Sequence, residues 1–367
     1  MSSLGWSRFV EFVARRRGGA SRDGSAGSGV AGCCDGWPSG GAGGRRGVGV
    51  GRWDQFVEDS PNGGRSYAVY TPPGLDSGVA VPLLVVLHGC RQSAQDAALD
   101  TGVNALADQA GFVAVYPEQN TKDNARGCWN WFDPRHQGRG SGEPAQIARI
   151  TERVLGSCGG MRLDRNRVYV MGLSAGGAMA GILAATYPDL YAAVGIHSAP
   201  QYRAARSTVT ALRAMKNGGP DPQRQGRLAY AAMGLRARVV PVIVVQGEDD
   251  RKVRSVNGER VVRQWLATSL LASGATTGLD FARPDVSHGG RAPGGLSYLV
   301  RTWNDVAGRP VLQYWSVSGL GHAWSGGAGG GSFTDPRGPG ATEAMYDFFS
   351  QCRLNRDVAT AGENAGP

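Results

Sequence analysis

Gly172-Leu173-Ser174-Ala175-Gly176 sets a serine between small residues, and no other stretch of the chain has so definite a chemical content. The apolar run Val168-Tyr169-Val170-Met171 precedes it, and Ala175 to Thr186, rich in Ala, Met and Leu, reads as a helix after it. A strand that turns sharply into a helix can hold a serine in a strained conformation with its hydroxyl presented outward. The flanking glycines let neighbouring backbone pass close to that turn. The five-residue pattern alone arises by chance in a chain rich in Gly and Ser; the strand before and the helix after give it weight. A positive helix end just beyond the serine also favours an oxyanion.

A serine hydroxyl is a poor nucleophile until a base takes its proton. A strand–serine–helix turn of this kind is the nucleophile elbow of the α/β-hydrolase fold, whose catalytic residues run serine, acid, histidine along the chain. Of the five histidines, His197, His288 and His322 follow Ser174. His197 ends a strand too soon to leave room for an acid, and His288 falls in a polar Pro- and Gly-rich stretch read as a loop. His322, in Gly319-Leu320-Gly321-His322-Ala323-Trp324, follows the apolar run Val311 to Val317. A loop at the carboxyl end of a strand is where catalytic groups gather in open α/β sheets, so His322 is the expected base. The acid should lie at another strand end. Val242-Ile243-Val244-Val245-Gln246-Gly247-Glu248-Asp249-Asp250 offers three candidates, and position alone does not choose among Glu248, Asp249 and Asp250. The oxyanion hole is expected from the N–H of Ala175 and from His88-Gly89-Cys90, which follows Pro82 to Leu87.

These residues need elements to hold them. Ser66 to Thr71 alternates as a strand does. Pro82 to Leu87, Gly111 to Tyr116, Val168 to Met171, Ala192 to Ile196 and Val239 to Val245 are short continuous apolar runs, the mark of strands covered on both faces. A helical stretch, Val103 to Ala110, precedes the second of these, and Tyr298 to Trp303 with Val311 to Val317 read as a hairpin around Asn304 to Gly308. Buried strands separated by helices predict an α/β-hydrolase fold with a mostly parallel central sheet and helices on both faces. Residues 1–51 are almost wholly Gly, Ala, Ser and Arg after residue 17, without apolar periodicity, and are expected to be disordered. The catalytic domain is placed at 52–356 and a loose tail at 357–367.

Charge and composition narrow the classes. The net charge is +9, but Lys and Arg are not interleaved with aromatics on any regular period and no nucleic-acid motif occurs, so nucleic-acid binding is not expected. The densest basic stretch, Arg203 to Arg238, sets eight Arg or Lys against one acid, Asp221, and reads as a solvated insertion or a rim near the active site. No run of about 18 apolar residues exists, which argues against a membrane span. The six cysteines fit no zinc template, and neither a metal nor an organic cofactor is expected.

With Leu87-His88-Gly89-Cys90, Cys128-Trp129-Asn130-Trp131-Phe132, Gly172 to Met179 and Gly319 to Gly327, the chain resembles the polyhydroxybutyrate-depolymerase family of esterases, relatives of feruloyl and acetylxylan esterases. Asn257-Gly258 and Thr334-Asp335-Pro336-Arg337-Gly338-Pro339 add to the likeness, which covers roughly 52–353. The resemblance implies ester hydrolysis by Ser174, His322 and Asp250, since the family's acid in a strand-end HGxxD pattern falls on Asp250. The histidine of that pattern is Gln246 here. The family often pairs the cysteines that correspond to Cys90 and Cys128, which implies a disulfide tethering the oxyanion loop. It also implies substrates of the short hydroxyacyl or small acyl ester class.

Disulfides persist in oxidising compartments, so an extracellular or periplasmic location is expected, with a cytoplasmic one as the alternative because the N-terminus does not read as a secretory signal. Trp129, Trp131 and Trp324 are candidates for lining an apolar or phenolic substrate cleft. The competing functional readings are a feruloyl or acetylxylan-type esterase, a peptidase of the same fold, and a non-catalytic binding module on a hydrolase scaffold.

Overall fold

The apolar runs become the interior of one ten-stranded sheet in a computed structural model that describes residues 51–59, 64–75, 78–156, 162–275, 278–327 and 331–354. The strands are β1 (Arg52–Glu58), β2 (Arg65–Thr71), β3 (Val81–Leu87), β4 (Val113–Pro117), β5 (Leu163–Leu173), β6 (Ala193–His197), β7 (Val242–Gly247), β8 (Val286–Arg291), β9 (Ser297–Asn304) and β10 (Pro310–Val317). Their order is β1-β2-β4-β3-β5-β6-β7-β10-β9-β8. From β4 to β10 the six neighbours run parallel, and the pairs at either flank are antiparallel. A small parallel pair, β11 (Trp324–Ser325) and β12 (Thr334–Asp335), lies apart from the sheet. The mostly parallel sheet of the α/β-hydrolase fold is therefore present.

Every residue of β3, β4, β6 and β7 is buried, which is why these strands read as continuous apolar runs without alternation. Helices α1 (Ala94–Thr101), α2 (Val103–Ala110) and α8 (Ala341–Ser350) share a core cluster with Leu84, Val86, Tyr169, Met171, Ile243 and Val245. Side chains alternate across a strand, so Leu83, Val85, Val168 and Val170 turn to the opposite face. Helices α3 (Gly142–Leu155), α4 (Ala175–Thr186), α5 (Thr208–Asn217), α6 (Pro222–Met233) and α7 (Val256–Ser273) complete the set. All twelve residues of α4 are buried. A helix that is apolar all round can only be stable when packed on every side, and its Ala and Gly residues allow the close approach.

Two differences from the sequence reading have plain causes. Strand β5 begins at Leu163, not Val168, because Val81 pairs with Leu163 and lengthens it through the polar stretch Asp164 to Arg167. His288 lies in β8, not in a loop; as an exposed edge strand with no buried face, it has no apolar alternation to read. Residues 1–50 and 357–367, expected to be disordered or loose, lie outside the described residues, as do Cys33, Cys34 and Cys158. Among the described residues no helix is long and apolar enough to cross a membrane.

Candidate active site

Ser174 stands between β5 and α4 with φ +57° and ψ −116°, a conformation that a residue with a side chain rarely adopts. Its N–H donates to the His197 carbonyl at 2.9 Å, which anchors the turn to the end of β6. The glycines around it are there for space. A Cβ on Gly176 would stand 2.1 Å from the Leu87 carbonyl oxygen, and one on Gly172 would stand 2.5 Å from the Gly176 backbone. The elbow thus lies directly against the end of β3, where the loop His88-Gly89-Cys90 begins. At Gly89 a Cβ would be 3.7 Å from the Ser174 Cβ. Ala175 is the first residue of α4, so its N–H has no partner within the helix.

The loops after β7 and β10 meet. A Cβ on Gly247 would stand 2.3 Å from the Leu320 carbonyl oxygen, and the N–H groups of Glu248 and Asp249 donate to Val317 and Leu320 at 3.0 and 3.1 Å. This contact separates the three acids. Glu248 accepts from the Ser316 and Ser318 hydroxyls at 2.5 and 2.6 Å, and Asp249 is exposed. Asp250 is buried and accepts from His322 Nδ1 at 2.7 Å through Oδ2, while its Oδ1 accepts from the N–H groups of Lys252 and Val253 at 2.9 and 2.8 Å. Burial raises the Asp250 carboxyl, but the His322 hydrogen bond and charge and the two N–H donors outweigh it and hold the group below its ordinary range. With the proton on Nδ1, His322 Nε2 has a free lone pair.

The loop His88-Gly89-Cys90 is held by buried polar groups. His88 donates from Nδ1 to the Gly89 carbonyl at 2.7 Å and accepts at Nε2 from the Gln119 N–H at 2.9 Å, so the ring is neutral in one tautomer. Burial lowers its pKa to about 4. Gln92 accepts the Gly89 N–H at 2.7 Å and donates to Asp100 at 2.6 Å. Cys90 and Cys128 form a disulfide that closes 38 residues of chain. Next to Cys128, Asn130 donates twice to the buried Glu143, and Glu143 accepts also from Gln119.

The three tryptophans are buried. Trp129 and Trp324 are 0% and 1% exposed. The Trp129 indole donates to the His88 carbonyl at 3.1 Å and that of Trp324 to the Thr342 hydroxyl at 2.9 Å. Trp131 is buried as well, its ring edge-on to Phe132. Trp129 and Trp324 fill buried space and satisfy a carbonyl and a hydroxyl, Trp131 packs on Phe132, and none of the three presents an exposed stacking face. Phe333 is only partly buried, and its carbonyl accepts the Trp324 N–H at 2.7 Å.

Comparison with known proteins adds a lineage to this geometry. The family model described as "Esterase PHB depolymerase" matches residues 65–280, more than half of the chain. This chain belongs to the esterase PHB depolymerase family. A poly(3-hydroxyalkanoate) depolymerase C of Paucimonas lemoignei is 32% identical over 69% of this chain and 57% of its own length. A feruloyl esterase B of Thermothelomyces thermophilus is 31% identical over 56% of this chain and 71% of its own. An acetyl xylan esterase from Aspergillus awamori shares the fold with TM-score 0.65 and 21% identity, covering 82% of this chain and all of that one. The match thus spans little more than half of the depolymerase.

Within this PHB depolymerase family member, three residues have places near the site that the sequence reading did not assign. His197, discarded as a base, is fully buried; its carbonyl holds the Ser174 N–H and its Nε2 accepts the Ser325 N–H at 3.1 Å. Its ring stacks on Trp324, and burial with the nearby charge of His322 lowers its pKa to about 3. Gln246 is buried and donates to the Gly247 and Val253 carbonyls, both at 3.1 Å, bracing the turn that carries Asp250. Lys252 extends over the Phe333 ring. A polar residue at a strand end was the available signal for the first two; the third depends on two loops far apart in the chain. Among the described residues, no group of three or more His, Cys, Asp or Glu is placed to hold a metal.

Proposed function

We propose that the protein is a serine esterase that cleaves carboxylic esters through an acyl-enzyme. The observation that carries this reading is the 2.7 Å hydrogen bond from His322 to a buried Asp250, in a molecule whose Ser174 occupies a left-handed elbow before α4. His322, kept in the Nδ1–H tautomer by Asp250, takes the Ser174 proton as the serine attacks the ester carbonyl. The N–H groups of Ala175 and Cys90 hold the tetrahedral oxyanion. The alcohol leaves with the proton from His322, and water then releases the acid by the reverse sequence. No metal or organic cofactor takes part.

The substrate class we favour is a 3-hydroxyalkanoate oligomer or a small acyl ester, in keeping with the depolymerase relative. The feruloyl esterase relative, at 31% identity, favours a second reading as a feruloyl or acetylxylan-type esterase. A binding module on a hydrolase scaffold would have no need of a matched acid–histidine pair. The Cys90–Cys128 disulfide supports an extracellular or periplasmic location.

The test is hydrolysis of p-nitrophenyl esters from acetate to octanoate by the full chain and by Ser174→Ala. The substitution should lower kcat by roughly a million-fold. Equal rates for the two proteins would overturn the assignment and favour the binding module; the chain-length preference of the parent points to the acyl group.

A further inference from the structure

The loop that carries Asp250 also carries positive charge for which the triad has no use. Arg251, Lys252 and Arg254 follow the acid directly, and all three are exposed. The Arg254 N–H and the Asn257 side-chain amide both donate to the Met215 carbonyl at 2.9 Å, which ties this loop to α5. Helix α5 exposes Arg213 and Lys216 on the same face as Val209 and Leu212, which are 77% and 58% exposed. Among the described residues none of these five cations forms an ion pair. Of the acids close in sequence, Asp250 is bound to His322, Glu248 to two serines, and Asp249 and Glu259 are exposed. The balance is positive.

Lys252 has a defined position. Its backbone N–H is bound by Asp250, and its Nζ lies 4.7 Å from the centroid of the Phe333 ring. Phe333 in turn is hydrogen-bonded to Trp324, two residues beyond His322. The side chain therefore reaches from the loop that bears the acid to the segment paired with Trp324, and the aromatic face holds the ammonium there.

Resting on the esterase reading, we propose that this rim recognises a carboxylate on the substrate, with Lys252 as its first contact. The substrate class is then an ester with a free carboxylate at one end and an apolar body, such as a linear hydroxyacyl oligomer, in preference to a neutral acylated sugar. Exposed cations beside the acid–histidine pair raise the local concentration of anions and speed their encounter, in a manner that salt screens. Val209 and Leu212, set among the cations, suit the apolar segments of such a chain.

The experiment compares the linear trimer of 3-hydroxybutyrate, carrying its free carboxylate, with the methyl ester of the same trimer. For the full chain at 20 mM salt, kcat/KM should favour the acid by about three- to tenfold, and the ratio should fall towards one at 0.5 M salt. Lys252→Gln, and Lys252→Gln combined with Arg251→Gln and Arg254→Gln, should lower the ratio stepwise. A ratio of one in the parent at low salt, or a ratio unmoved by the triple substitution, overturns the proposal while leaving esterase activity established by turnover of the methyl ester. Calorimetric binding of both trimers to Ser174→Ala reads the same preference without turnover. There, equal Kd values at low salt overturn it even if neither trimer is hydrolysed.

Discussion

At the residue scale, the two buried histidines make the protein sensitive to acid for a reason separate from catalysis. His88 and His197 are fully buried and neutral, with pKa values lowered to about 4 and about 3. In the unfolded chain each titrates near its ordinary value of about 6.5. Between that value and the folded one, the unfolded state binds more protons, so stability is complete above pH 6.5 and falls as the pH drops. Each histidine should remove about 2 kcal/mol between pH 7 and pH 5. Urea unfolding at the two pH values tests this: His197→Gln should show about half the parent's pH dependence, and an unchanged dependence would contradict it. At this scale the sequence was partly legible. Ser174 and His322 stood out because each follows an apolar run. Asp250 did not stand apart from Glu248 and Asp249, since which of three adjacent carboxylates turns inward is settled by the contact of two loops whose acid and histidine are 72 residues apart. The burial of Trp129, Trp131 and Trp324 was not legible, because indole suits a cleft and a core equally well.

At the element scale, the elbow works because β5 and α4 meet the end of β3 at backbone contact. Gly176→Ala would place a methyl 2.1 Å from the Leu87 carbonyl oxygen, and neither side has a flexible group to move. Overpacking in a core costs about 1–3 kcal/mol, and here the backbone itself must shift, so the loss should reach at least the upper end. A urea midpoint within error of the parent would show that the elbow is looser than described. The apolar runs made β3, β4 and β7 legible to within a few residues, and Ala175 to Thr186 matched α4. Strand β8 and the polar start of β5 were not legible, because their residues are held by strand pairing and not by burial.

At the scale of the whole molecule, the Cys90–Cys128 link ties the loop after β3 to the segment anchored on Glu143. A cross-link closing 38 residues should stabilise the fold by about 4 kcal/mol through the unfolded chain's lost entropy. Replacing both cysteines by serine should therefore lower the unfolding free energy by about that amount, and a loss below 1 kcal/mol would mean that the loop is held by Gln92, His88 and Glu143 alone. What the sequence determined by itself was local: the strand–serine–helix turn, the buried parallel strands, and a histidine at the end of a later one. These follow from residue size and apolar spacing, which act over a few positions. Only the tertiary structure decided which acid meets His322, that the tryptophans are core, and that Lys252 reaches Phe333. Each of those depends on contacts between loops distant in the chain, where the energy of a pair is set by how the strands behind it are ordered in the sheet.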